Sequence, residues 1–117
     1  MNDNNIVLTK SKSFALRIIK LYNYLLKNHR ILPIANQILK SGTSIGANVR
    51  ESVRAQSKPD FYSKLNIALK ETSETEYWLE LLYESGYITK KQFDSIYSDC
   101  REILKILVSI TKTQNNS

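Results

Sequence analysis

Gly42 and Gly46 stand four residues apart in the stretch 41–52, SGTSIGANVRES. Small residues at such spacing can form a loop whose backbone N–H groups cradle a phosphate, so this stretch is the first place to look for a ligand. A Walker-type loop also needs a Lys followed by Ser or Thr directly after its second glycine, to reach the phosphates and magnesium. Here those positions hold Ala47 and Asn48, which argues against nucleotide binding. The remaining chemistry-bearing residues are no better assembled. His29 is the single histidine and Cys100 the single cysteine; neither has the neighbours that a metal site or a catalytic triad requires. His29 is expected in a solvated turn and Cys100 in a helical core. Glu71, Glu74, Glu76, Glu80 and Glu84 are ligand types found in di-iron bundles, but those sites use Glu-x-x-His pairs and no histidine accompanies these acids. A solvated or cross-helix-paired face is expected instead. The sequence therefore reads as a non-enzyme, with no cofactor and no metal.

Charge is the stronger signal. The net charge is +6, yet residues 1–58 carry ten Lys and Arg against Asp3 and Glu51, a balance of +8, and residues 59–117 carry seven against nine acids, a balance of −2. Such asymmetry suits either a polyanionic partner for the first half or complementarity between the halves of one fold. On one helical wheel, Lys40, Arg50, Arg54 and Lys58 fall within an arc of about 80°, opposite Ile38, Ile45 and Val49. Lys20 and Lys27 point away from Phe14, Ile18 and Leu25 in the same manner. Lys20, Lys40, Arg50, Arg54 and Lys58 are thus the candidate contacts to RNA or DNA phosphates, set against the plainer reading of a solvated face.

These side chains must be held by helices. Hydrophobic residues make up 42% of the 117 residues and only three Gly and two Pro interrupt them, which favours one domain of long helices over many short strands. Phe14, Ile18, Leu21 and Leu25 predict a first helix over about 11–28. Pro33 suits the first turn of a second, over about 31–56, on which Ile31, Ala35, Ile38, Gly42, Ile45, Val49 and Ser52 step by four and three. The rhythm runs straight through the glycine stretch, so Gly42 lies on the inward stripe and Gly46 beside it. Small residues there let a neighbouring helix approach closely. Pro59 opens a third helix over about 60–85, with Phe61, Leu65, Ala68, Thr72, Leu79 and Leu82 inward, and Gly86 closes it. Thr89 is the expected N-cap of a fourth, over about 89–112, with Phe93, Ile96, Cys100, Ile103, Leu107 and Ile110 on its stripe. The tail QNNS is expected to fray. The whole is an all-α, up-down-up-down four-helix bundle, a single domain over 1–117. The first ten residues lack a secretory signal and no stretch approaches ~20 apolar residues, so a cytoplasmic protein without a membrane span is expected.

With Gln37, Ser44, Ile45, Asn48 and Glu51 in place, the chain resembles the four-helix-bundle family named for proteins encoded in intervening sequences of bacterial 23S ribosomal RNA, which also includes accessory proteins of diversity-generating retroelements. Its pattern there is close to Q-L-R-R-A-A-x-S-I-x-x-N-I-A-E-G. Ser57, Asp60 and Phe61, then Ile67-Ala68, Glu74, Glu76 and Gly86-Tyr87-Ile88 continue the match. Leu39-Lys40 replaces the Arg pair, Arg50-Glu51-Ser52 replaces Ala-Glu-Gly, and Lys70-Glu71 stands at a later Gly-Ser. The resemblance implies homo-oligomers, pentameric in the retroelement branch, with basic surfaces that bind nucleic acid or a reverse transcriptase. Asn48 and Glu51 are expected to form a buried polar pair across the bundle. Tyr77, Trp78 and Leu81 lie roughly 100–160° from Phe61, Leu65 and Leu79 on the third helix, so they are expected at or near a subunit contact.

Overall fold

The computed structural model describes residues 2–116, and side chains over 6–114. Four helices, α1 (Asn2–Asn28), α2 (Leu32–Val53), α3 (Lys58–Glu84) and α4 (Lys90–Lys112), are followed by a single 3-10 turn, Thr113–Asn116. Each helix packs on its neighbour in sequence and α4 packs back on α1, closing a four-helix bundle of 47 × 21 × 19 Å. The core is a column of aliphatic side chains, among them Phe14, Ile18, Leu25, Ile38, Ile45, Leu65, Leu79, Leu82, Ile103 and Leu107, all sealed from solvent.

Two boundaries differ from expectation. Helix α1 begins nine residues earlier than the sequence predicts, because Val7 and Ser11 are both buried and continue the inward stripe to Phe14 at spacings of four and three. Burial of Val7 outweighs the modest helix propensity of the flanking Asn, Val and Thr residues. Helix α2 stops at Val53, three residues short. Ser57 takes an extended conformation (φ −153°, ψ 164°) and its hydroxyl accepts from the Asp60 N–H at 3.1 Å, so the chain must leave α2 before it in order to turn. Arg54 caps α2 and Lys58 opens α3.

On α3 the inward aromatic is Tyr62 and not Phe61. Tyr62 begins a stripe through Leu65, Ala68, Thr72, Thr75, Leu79 and Leu82, and its hydroxyl meets that of Thr113 at 2.7 Å. Gly86 ends the helix with φ 83°. Its N–H reaches Tyr83 O and the Tyr87 N–H reaches Leu82 O, a Schellman closure that requires a left-handed residue. Thr89 caps α4 as expected: it accepts from the Gln92 N–H at 3.1 Å while the Gln92 side chain accepts from the Thr89 N–H at 2.8 Å. Phe93 is only half-buried, stacked between Tyr83 and Tyr97 at 4.7 and 4.6 Å. The expected frayed tail is in part the 3-10 turn, with Asn66 donating to Gln114 at 3.2 Å; Ser117 lies outside the described residues.

The glycines of 41–52 lie inside α2 and face α1. A Cβ on Gly42 would stand 2.7 Å from Ile18 Cγ1, and one on Gly46 would stand 3.3 Å from the Ser11 carbonyl oxygen. They are the contact that lets α1 and α2 close on each other.

Candidate nucleic-acid interface

The close approach of α1 and α2 decides where the basic residues end up. Lys20 on α1 and Lys40 and Arg50 on α2 are exposed, as are Arg54 and Lys58. The expectation that Lys40, Arg50, Arg54 and Lys58 share one helical face fails, because α2 ends before Arg54 finishes a turn and Lys58 belongs to α3. What the fold builds at this end is a cleft of about 370 Å³ lined by Arg50, Glu51, Arg54, Gln56, Asp60 and Lys64. Lys64, absent from the sequence-based set, enters because α3 packs beside the end of α2. A charge ten and fourteen residues away from Arg54 and Arg50 in sequence, on a different helix, offers no periodic cue. Beside the cleft, a groove between α1 and α2 brings Lys12, also missed, to the neighbourhood of Arg50.

The acidic half neutralises part of the basic half. Lys10 pairs with Glu102 at 3.0 Å, and Arg17 pairs with Asp99 at 2.6 Å while also donating to the Ser95 carbonyl and hydroxyl. In the opposite sense, Lys64 of the second half pairs with Glu51 of the first at 3.1 Å. Lys40 lies close enough to Glu71 to favour its carboxylate, although burial, followed by repulsion from Glu74, raises the Glu71 carboxyl above its ordinary value. Among the described residues, Lys12, Lys20, Lys27, Arg30, Arg50, Arg54 and Lys58 have no carboxylate within ion-pair distance. Complementarity between the halves therefore accounts for Lys10 and Arg17 and leaves Arg50, Arg54 and Lys58 without a carboxylate partner among the described residues.

Other expected groups fall differently. Asn48 and Glu51 do not form a buried pair: Asn48 donates to the Ser44 carbonyl of its own helix at 2.9 Å, and Glu51 is exposed beside Lys64. The buried polar contact across the bundle is Ser41 with Thr75, at 2.8 Å. His29 is exposed as expected, but its ring sits edge-on between Tyr24 and Tyr87 at 5.6 and 5.3 Å. The α3 acids engage neighbouring side chains: Glu76 binds Arg101 at 3.2 Å, and Glu80 accepts from Tyr97 at 2.7 Å. Burial, then that hydrogen bond, pushes the Tyr97 hydroxyl up to about 12. Burial likewise pushes the Cys100 thiol well above its usual value, which leaves it unreactive. Among the described residues no three His, Cys, Asp or Glu side chains gather as metal ligands, and no helix is long and apolar enough to cross a membrane.

Of the expected contact residues, Tyr77 is 54% exposed. Trp78 packs on the core and donates to Glu74 Oε2 at 3.2 Å, with Leu81 half-buried one turn on.

The family model described as 23S rRNA-intervening sequence protein matches residues 3–109. The chain belongs to that family. A crystal structure from Bacteroides thetaiotaomicron VPI-5482, described as a protein of unknown function from the S23 ribosomal protein family, is 56% identical, with a TM-score of 0.89 over 91% of this chain and 98% of that one. No curated protein matches the chain. For this 23S rRNA-intervening sequence family member, the four-helix bundle thus agrees with a solved relative at high identity.

Proposed function

We propose that this protein is a non-enzymatic, cytoplasmic nucleic-acid-binding adaptor that grips RNA or DNA phosphates through Lys20, Lys40, Arg50, Arg54 and Lys58. The observation that carries this reading is the lack of internal partners: Arg50, Arg54 and Lys58 flank the α2–α3 turn with no carboxylate within ion-pair distance among the described residues, where a phosphate would supply one. The contact is to the phosphate backbone and is non-specific. The protein works as a homo-oligomer, a pentamer by the resemblance, in which Tyr77, Trp78 and Leu81 lie at or near the subunit contact. Repetition of the basic patch would add weak contacts into useful affinity.

The test is binding to labelled RNA and duplex DNA over a salt series. Affinity is expected to fall with a log–log slope of about −0.9 per phosphate contacted on duplex DNA. Arg54→Glu with Lys58→Glu should abolish binding and leave helicity and assembly mass unchanged. Unaltered binding in that variant, or none by the parent at ~50 mM salt, favours the second reading: a scaffold for an acidic protein surface, a reverse transcriptase among the candidates. The apolar wall of the adjoining groove, with Leu8 and Leu16 beside Lys12 and Arg50, is the observation on its side.

A further inference from the structure

We infer that the groove between α1 and α2 receives the outer stripe of α3 from a second copy of this chain, so that copies join groove to stripe. The inference rests on the assembly proposed above and assigns its two faces. The groove is an open trough of about 860 Å³ with Leu8, Ala15 and Leu16 on its α1 side and Gly46 and Ala47 on its α2 side. Leu16 is 56% exposed there, and the two small α2 residues keep that side low enough for a helix to settle. Lys12 lines it without a carboxylate partner in its own chain among the described residues, whereas Glu51 on the α2 side is held by Lys64.

The α3 stripe complements the groove in shape and charge. Glu74, Tyr77, Leu81 and Glu84 recur at spacings of three, four and three, one helical face, in which two acids bracket two apolar side chains. Glu84 has no cation within ion-pair distance among the described residues. An amphipathic helix laid into an apolar groove of opposite charge is a recurrent recognition mode. Groove and stripe sit on different helices, so the contact is heterologous: every copy offers one of each, and the series closes into a ring when the rotation permits.

The experiment uses the full chain carrying Leu16→Cys or Leu81→Cys, in a Cys100→Ser background and also with Cys100 retained, since burial shields that thiol. With a short bismaleimide, a mixture of the two proteins should yield cross-linked dimers and each protein alone should yield none. Lys12→Glu should lower the mass seen by light scattering, and adding Glu84→Lys in the same chain should restore it. Self-cross-linking of either variant, an oligomer whose mixture does not cross-link, or a Lys12→Glu protein of unchanged mass overturns the pairing of faces while the assembly stands. A monomeric parent at micromolar concentration overturns both. Protection of the Leu16→Cys thiol by added RNA in a monomer overturns the pairing in favour of a polyanion in the groove.

Discussion

Gly42 shows how much one missing methyl can decide. Its Cα faces Ile18, a fully buried branched side chain, and a Cβ would come within 2.7 and 2.9 Å of two Ile18 carbons. Overpacking of this kind costs about 1–3 kcal/mol, while replacing glycine within a helix returns about 1 kcal/mol of propensity. Gly42→Ala is therefore expected to lose up to ~2 kcal/mol of stability, measurable as a lower midpoint in urea with an unchanged slope. Gly46→Ala meets only the edge of the Ser11 backbone at 3.3 Å and should fare better than Gly42→Ala. The inward position of both glycines is legible from the stepping of α2 by threes and fours. Which side chain they admit is not, since Ile18 is twenty-four residues away and no periodic rule pairs two helices. The same limit explains Glu51, whose partner Lys64 is set by what packs beside α2, while Asn48 turns back onto the Ser44 carbonyl of its own helix.

The turns have sharper chemical signatures than the helix interiors. Gly86 adopts φ 83° and has nothing within 4 Å of where a Cβ would stand, so substitution there tests backbone strain free of steric contact. Gly86→Ala is expected to cost about 1–2 kcal/mol, read as a lower thermal midpoint, with the far-ultraviolet circular dichroism preserved. Thr89 and Gln92 announce the start of α4 through a capping box, and both the cap and the helix appear where the sequence places them. Helix α1 carries no such signal near Asn2. Its true start is set by burial of Val7 against the other helices, a term that local propensity does not contain. At Phe61 and Tyr62 the sequence offers two adjacent aromatics, either of which continues a helical stripe. The position of the Thr113 hydroxyl, delivered by the end of α4, accompanies the choice of Tyr62.

For the molecule as a whole, stability and ligand binding draw on different forces. The core is aliphatic, and the ion pairs joining α1 to α4 are at least about two-fifths exposed on each partner, so each contributes little and is screened by salt. Raising salt from ~50 mM to ~500 mM should thus move the thermal midpoint by only a few degrees, while the same change should release bound nucleic acid. A large fall in the midpoint would show that the surface pairs matter more to folding than their exposure allows. By itself, the sequence determined the helical class, the order of four helices, most of the inward residues and the basic bias of the first half. Each of these follows from periodicity, capping chemistry or composition, properties that neighbouring residues carry with them. Only the tertiary structure decided which cations are neutralised by α4 and which are not, that Lys12 and Lys64 join Arg50 and Arg54 at one end, and that α1 and α2 leave a groove between them. Those outcomes depend on which helix faces which and how closely. That is settled by side-chain volume and burial between segments far apart in the chain.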